Sequence, residues 1–283
     1  MSDGSLLHST LSGATYRIGR QLQNGRVQLF EAQDATGARC WIRHVAANDE
    51  VAIARLRYEA IVLGKLRHER VIRLLDRGRT SGSFFLALQP ATGYRLSQLI
   101  DAGPVEIDRV LAIGAQLAEL LVYLHDRGAI CRTLPPSNLF IDHLNRLVLV
   151  DLSAVWDEVS PARSGETITE AAYMSPEEAG GARAERRGDI YGAGLLIFAL
   201  LTGRPPFEGQ HRGDLALQHL LTTPPDLHRL RTDVPPQLAA LVARCLSKQP
   251  AQRFASARAL LDALRAVGST ATLTPALSQR GEG

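Results

Sequence analysis

From Tyr16 to about Val45, apolar and polar residues alternate in short runs, broken by turn residues at Asn24-Gly25 and Thr36-Gly37. A period of two with that punctuation predicts three antiparallel strands. The period then lengthens. Across Arg55 to Leu66 (RLRYEAIVLGKL) the apolar residues Leu56, Ala60, Leu63 and Leu66 recur at three- and four-residue spacing, which predicts a helix. Val71 to Leu75 and Phe84 to Leu88 read as two further strands, so a small α+β unit of five strands and one helix spans residues 14–90. The polar, small residues 1–13 before it read as a flexible lead-in.

Beyond Gly93 helical spacing dominates. Ile107 to His125 is predicted as a long amphipathic helix, and Leu139 to Ile141 with Leu147 to Val150 as a hairpin around Asn145. Further helices are predicted at Asp189 to Leu201, Leu215 to Leu221, Gln237 to Leu246 and Ser256 to Val267, separated by Pro205-Pro206, Pro224-Pro225 and Pro235-Pro236. Residues 91–267 therefore form a larger, mainly helical unit. Residues 268–283 are rich in Gly, Ser, Thr and Pro without periodicity and are expected to be disordered. The expectation is an α+β protein of two lobes.

Composition narrows the function classes. The 283 residues are 45% hydrophobic and 22% charged, ordinary globular values. The strongest apolar run, Gly192 to Gly203, is too short to span a bilayer, and the N-terminus lacks a signal-peptide layout. A soluble, cytoplasmic protein is expected. Cys40, Cys131 and Cys245 lie far apart without CxxC spacing, and the eight histidines show no HExxH-type pattern, so neither disulfides nor a zinc site is indicated. A net charge of +3 without basic-aromatic motifs points away from nucleic acid. Of the 32 basic residues only Lys65 and Lys248 are lysine. Lysine-dependent chemistry thus has very few candidates.

Read in order, the motifs resemble those of bacterial Ser/Thr protein kinases. The segment RLRYEAIVLGKLRHERVIRLLD is similar to the family's helix bearing a functional glutamate, here Glu59. LHDRGAICRTLPPSNLFID resembles the catalytic loop and LVLVDLSAV the strand leading into the DFG motif. YMSPEEAGG resembles the APE end of the activation segment, and DIYGAGLLIFALLTGRPPF the buried helix of the larger lobe. CLSKQPAQRFAS supplies Arg253, which the resemblance pairs with Glu177. The likeness runs from about Tyr16 to Val267. It implies a bilobal kinase-like fold with a β-rich N-lobe and a helical C-lobe.

The same resemblance shows where the chemistry departs. Phosphoryl transfer by such a domain needs a Gly-rich loop, a lysine held by the helix glutamate, a loop aspartate as base, and metal ligands. Of the Gly-rich loop only Gly25 remains, flanked by Gln23 and Gln28, so the segment also reads as an ordinary hairpin. Cys40-Trp41-Ile42-Arg43 stands for VAIK and puts Arg43 at the lysine position, able to pair with Glu59. Arginine's wide planar fork does not replace a compact ammonium. Period two places Trp41 on the same strand face as Arg43, where its indole either fills the purine slot or turns into the core. Gly25, Trp41, Arg43, Leu88 and Phe140 are the nucleotide-binding positions that the resemblance marks.

Cys131-Arg132-Thr133-Leu134-Pro135-Pro136-Ser137-Asn138 stands for HRDLKxxN. Thr133 replaces the catalytic base, and Pro135 the loop lysine. Loss of a general base costs about 10²–10⁴ in rate, and loss of a charge stabiliser about 10²–10³ more. Asn138 and Asp151 keep the metal-ligand residue types, as magnesium ligands or as braces for their loops. A hydrogen bond from Thr133 to Glu170 is expected to replace the usual contact between aspartate and threonine, and Glu170 is also a candidate relocated base. Ser160, Ser164, Thr167 and Thr169 are candidate phosphate acceptors for another kinase, and the retained Arg132 is a candidate to bind such a phosphate.

The sequence thus reads as a pseudokinase with no intact catalytic set. It is expected to act as a signalling scaffold or allosteric regulator, and no cofactor is expected unless the pocket is open to ATP and magnesium. A protein partner (kinase, phosphatase or signalling protein) is expected, with a homodimer through the N-lobe as another arrangement. Between Arg55 and Arg79 eight cationic residues face three acidic ones, either a solvated surface or a dock for an acidic partner. Two alternatives stay open: a weak transferase using Arg43, Glu170, Asn138 and Asp151, and a nucleotide-binding switch without phosphoryl transfer.

Overall fold

The computed structural model of the chain describes residues 3–80, 83–153, 155–157 and 168–271. These fall into two compact units, one running to Thr92 and including Val148–Ser153, the other Gly93–Leu147 with the described residues from 155 on. The first unit holds strands β1 (Leu6–His8), β2 (Thr15–Gln23), β3 (Val27–Asp34) and β4 (Arg39–Val45), helix α1 (Glu50–Lys65), and strands β5 (Leu74–Thr80) and β6 (Ser83–Leu88). The second continues with β7 (Tyr94–Arg95), α2 (Leu96–Asp101), α3 (Ile107–His125), β8 (Ala129–Ile130) and β9 (Leu139–Ile141). β10 (Leu147–Leu149) leads the chain back to the first unit. There follow β11 (Trp156–Asp157), α4 (Ile168–Ala171), α5 (Pro176–Ala179), α6 (Arg186–Thr202), α7 (Arg212–Leu221), α8 (Leu227–Leu230), α9 (Pro236–Cys245) and α10 (Ala257–Ala271). The architecture is α+β, a sheet-based unit and a mainly helical one, and no helix among the described residues is long and apolar enough to cross a membrane.

In the first unit the six-stranded sheet runs β1-β2-β3-β4-β6-β5. Alternation along the strands gathers Leu7, Tyr16, Ile18, Phe30, Cys40, Ile42 and Phe85 into one buried cluster. Tyr16 meets Phe85 edge-on at 5.8 Å and donates its hydroxyl to Asp76 at 2.9 Å, so the ring is buried while its polar tip is satisfied. β4 and β6 lie antiparallel with Trp41 opposite Leu88 and Arg43 opposite Leu86. Because neighbouring side chains alternate, Trp41 and Arg43 share the face opposite Cys40 and Ile42.

Three expectations change. The lead-in is not loose: β1 pairs with β2, Leu7 is buried and Thr10 donates to the Arg79 carbonyl at 2.9 Å. Three residues are too few to show a period, and the strand is made by its distant partner. Helix α1 begins five residues earlier than the apolar spacing predicts, because the Asp49 side chain accepts from the Ala52 amide (3.0 Å) and caps it. β5 starts at Leu74 rather than Val71. Val71 forms a parallel bridge with Leu149, and the Leu149 amide donates to the Arg70 carbonyl, so these residues instead bind the returning segment 148–153.

In the second unit α6 is buried on all sides, as a helix apolar around its whole circumference must be, and stops at Gly203 (φ 76°), a left-handed cap suited to glycine. α10 continues to Ala271, past the residue where the tail was expected to begin; residues 272–283 lie outside the described residues. Truncating the ordered lead-in should therefore show in stability. Leu7→Ala is expected to cost about 2–4 kcal/mol in urea unfolding, against under ~0.5 kcal/mol for its exposed neighbour Leu6→Ala. Equal small losses would mean that β1 does not belong to the core.

Candidate functional site

In the first unit three charged side chains converge. β4 carries Arg43, α1 carries Glu59 and the returning segment carries Asp151. Arg43 is 6% exposed and Glu59 1%. Arg43 Nη1 bonds Glu59 Oε1 and lies 3.4 Å from Asp151 Oδ1, while Nη2 donates to the Val150 carbonyl at 2.9 Å. Glu59 Oε1 also accepts the Leu152 amide (3.2 Å), and Asp151 Oδ1 the Ser153 amide (2.9 Å). Burial alone would weaken the Arg43 cation, but Asp151 and Glu59 more than offset that and hold it protonated. Burial pushes the Glu59 carboxyl up, with Arg43 pulling the other way. The pairing of Arg43 with Glu59 was legible from the sequence; the engagement of Asp151 by the same guanidinium was not.

Trp41 is buried on the Arg43 face of β4, and Leu88 is fully buried opposite it on β6. Gly25 lies in the exposed β2–β3 turn at φ 148°, its amide donating to Asn24 Oδ1 at 2.9 Å. Only glycine adopts that backbone readily. Gln28 Oε1 lies 3.4 Å from His44 Nδ1.

In the second unit residues 130–136 are all buried. Asp189 of α6 accepts from the Cys131 amide (2.9 Å), the Arg132 amide (2.8 Å) and His125 Nε2 (2.8 Å), and these bonds hold Arg132 at φ 62°. Thr133 is buried, and its hydroxyl has no hydrogen-bond partner among the described residues, so the bond expected from it to Glu170 is not formed. The short side chain is enclosed within the buried run, whereas Glu170 sits half-buried on α4. Pro135 precedes a single 3-10 turn whose Asn138 amide returns to the Pro135 carbonyl at 3.0 Å. Phe140 is half-buried on β9 under the Arg95 guanidinium, 5.4 Å from its ring centre. Thr169 is exposed at the start of α4, while Ser160, Ser164 and Thr167 lie outside the described residues. In the first unit, Lys65, Arg73, Arg77 and Arg79 of the cationic run are exposed, and Arg57 stacks on Phe84 at 5.6 Å.

Two buried groups frame the rest of this unit. Arg253, 1% exposed, directs its five donors to five acceptors: Glu177 Oε1 and Oε2 and the Ser247, Lys248 and Arg187 carbonyls, all at 2.8–3.0 Å. His219, which sequence reasoning did not single out, is fully buried on α7, with Nδ1 3.0 Å from the Tyr191 hydroxyl and the Phe207 ring edge-on at 5.0 Å. Its only sequence signal is its place four residues after Leu215 on one helix face. Burial, then the Lys248 ammonium, draws its imidazole from an ordinary 6.5 down to about 4, against the pull of the Ala171 and Ala172 backbone.

Both clusters make checkable statements. Arg43→Met leaves two carboxylates facing each other without a cation and is expected to cost about 3–5 kcal/mol in urea unfolding. Arg43→Lys keeps one charge but loses the second arm of the fork, and should cost clearly less. Equal losses would mean that the fork is not used. An unfolded His219 takes up a proton near 6.5 and the folded one only near 4, so its contribution is complete above pH 6.5 and shrinks as pH falls toward 4. Between pH 7 and 4.5 this loss is about 2–3 kcal/mol, and His219→Gln should remove it. An unchanged pH decrement in the variant would refute the assignment.

Comparison with known proteins agrees with this arrangement. The protein kinase domain family matches residues 25–263. Serine/threonine-protein kinase PrkC of Bacillus subtilis is 30% identical over 224 residues, covering 76% of this chain and 34% of the relative. Serine/threonine-protein kinase pkn3 of Myxococcus xanthus is 33% identical over 240 residues (80% and 44%), and serine/threonine-protein kinase PknL of Mycobacterium tuberculosis 31% over 230 (80% and 58%). The chain thus spans less than two thirds of the length of these relatives. A sheet unit that joins a β4 cation to an α1 glutamate, a helical unit anchored by Asp189 and Arg253, and a family match across most of the sequence lead to one conclusion: the chain belongs to the protein kinase family.

Proposed function

We propose that this kinase domain is a pseudokinase that acts by binding a protein partner, as a signalling scaffold or allosteric regulator, rather than by transferring phosphate. The observation that carries the reading is the Arg43 cluster. A guanidinium stays protonated at any physiological pH, so Asp151 Oδ1 faces a fixed cation at 3.4 Å and already accepts the Ser153 amide. A magnesium ion would have to share that carboxylate with Arg43, and Mg²⁺ demands near-ideal oxygen geometry. These residues fit a magnesium–nucleotide complex poorly, and we assign no transfer step to one.

The second unit supports the same reading. Thr133 offers an aliphatic hydroxyl, which does not accept a substrate proton near neutral pH, and its side chain is buried. Pro135 supplies no charge. On the Arg43 face of β4 the buried Trp41 indole occupies volume where the family holds a small residue. The exposed cations from Lys65 to Arg79 suit an acidic partner surface.

A second reading is an ordinary ATP-dependent Ser/Thr protein kinase. It is favoured by relatives of that name at about 30% identity and by the metal-ligand residue types kept at Asn138 and Asp151. Thermal unfolding of the chain with millimolar ATP and Mg²⁺ separates the two. The pseudokinase reading expects the midpoint to move by less than ~1 °C, whereas binding of native protein alone raises it with ligand concentration. Trp41→Ala, compared with itself with and without nucleotide, is expected to gain such a rise. Transfer of radiolabelled phosphate from ATP to a protein, at a rate of about 1 s⁻¹ or more, would overturn the proposal.

A further inference from the structure

At one edge of the first unit α1 and β5 meet across β6. Glu59 bonds Arg43, so α1 covers the face of the sheet from which Arg43 projects. Arg43 stands opposite Leu86 and Leu86 opposite Arg77, while Val45 stands opposite Phe84 and Phe84 opposite Arg79. Residues directly opposed in an antiparallel pair project from the same face, so Arg77 and Arg79 point to the α1 side of the sheet. β5 is the last strand in the sheet order, which leaves both arginines beside the helix rather than beneath it, and both are exposed. Arg57 of α1 lies over the Phe84 ring at 5.6 Å, and Arg79 is the cross-strand neighbour of that same ring. Helix and strand thus bring cations to one rim. Ile61 and Lys65 follow Arg57 at four-residue spacing and keep to one helix face. Ile61 is 48% exposed, and Lys65 is exposed as well.

This rim is charged without being paired. Arg57, Lys65, Arg77 and Arg79 form no ion pair among the described residues. Exposed arginines elsewhere do find carboxylates: Arg20 with Glu31 at 3.1 Å, Arg146 with Asp142 at 2.7 Å and Arg265 with Glu119 at 2.8 Å. The carboxylates of the Arg55–Arg79 run are committed to other groups. Glu59 is buried on Arg43, and Glu69 lies 3.4 Å from Arg70. Asp76 accepts from Ser12 (2.6 Å) and Tyr16 (2.9 Å), and it stands opposite Ala87, on the other face of the sheet. Glu50 sits in the first turn of α1, about two turns before Arg57.

Resting on the reading of this domain as a partner-binding module, we propose that the α1–β5 rim docks an acidic segment of the protein partner. Carboxylates of the segment meet Arg57, Arg77 and Arg79, whose planar forks match carboxylate geometry. An apolar side chain of the segment covers Ile61. The isoleucine decides the class of partner. A nucleic acid brings its charge on a phosphate chain and supplies no aliphatic contact between the charges, whereas an acidic peptide supplies both. The charges set the encounter rate and its salt dependence, and the contact at Ile61 excludes water at the middle of the rim.

The test titrates the full chain into a fluorescein-labelled peptide of alternating Glu and Leu and reads anisotropy. The peptide has no Ser, Thr or Tyr, so it reports docking and not phosphate acceptance. Arg77→Glu with Arg79→Glu is expected to weaken binding about tenfold or more, and Arg212→Glu with Arg258→Glu, the same charge change on exposed positions of the second unit, less than about twofold. Ile61→Ser should weaken it about threefold at unchanged charge. A native chain that leaves the anisotropy unchanged up to about 100 μM would overturn the proposal. Equal losses in the two double variants would do the same, since the attraction would then be one of overall charge. So would a single-stranded oligonucleotide of equal charge that displaces the labelled peptide at lower concentration than the unlabelled peptide does. Phosphate transfer from ATP is a separate readout: its appearance ends the pseudokinase reading and leaves docking at this rim standing, whereas absent docking without transfer ends only the assignment of the rim.

Discussion

A guanidinium enclosed by protein has to be given anions and acceptors, because it does not lose its proton to escape desolvation. Arg43 imposes that requirement on the first unit. Its fork is met by Glu59 from α1, by Asp151 and by the Val150 carbonyl, so the strand, the helix and the returning segment are held by one charge. One cation against two carboxylates leaves an excess negative charge. It is tolerated because the Asp151 side chain is 26% exposed and stays partly hydrated, while Glu59 has the Leu152 amide as a further donor. A lysine here would present its three donors from a single compact nitrogen, without the reach of a planar fork. The arginine instead engages several acceptors at once, so the bond set that strengthens the unit also uses the carboxylate that a metal would need.

The second unit separates framework from chemistry more plainly. Asp189 and Arg253 satisfy their buried charges within the helical framework and through backbone groups, and neither bond set includes Thr133 or Pro135. Threonine at position 133 therefore leaves the fold with one hydroxyl unpartnered among the described residues, a cost of about 1–3 kcal/mol, and places no buried carboxylate there. Pro135, with φ −65°, matches the extended backbone that enters the 3-10 turn and stiffens it. Threonine and proline at these positions thus leave both bond sets of the framework intact.

What the sequence made legible follows from the range of the interactions. Helix α3 matches its apolar period end to end, and the Asn145 turn and the proline-bounded helices lie within a few residues of where local spacing puts them. The order of motifs is a strong signal for the fold because each motif is local. The short elements are not legible. β1, α2 and α8 have three to six residues and exist because of what they pack against. The Arg43–Glu59 pair could be inferred from position, but the third member of the cluster lies 108 positions beyond Arg43, and backbone pairing of Leu149 with residues 70–72 brings it there. The missing partner of Thr133 is likewise a property of three dimensions, as the expected bond to Glu170 shows.

The arginine excess has a last physical consequence. Thirty of the 32 basic side chains are guanidiniums, so almost none of the cationic charge responds to pH. Responsiveness is confined to the few groups that do titrate, and two of them meet in one aromatic cluster. His219 and Lys248 both contact Phe207, both contact Tyr191, and the Lys248 ammonium is one of the two influences that depress the imidazole. Any event that neutralises Lys248 therefore lets His219 take up a proton at higher pH, and protonating His219 in turn makes the ammonium harder to keep. The two groups are linked through charge and through the rings they share, in the part of the molecule that also holds the Arg253–Glu177 pair. Proton uptake at His219 thus falls among α6, α7 and the end of α9, while the Arg253 guanidinium beside it keeps its charge.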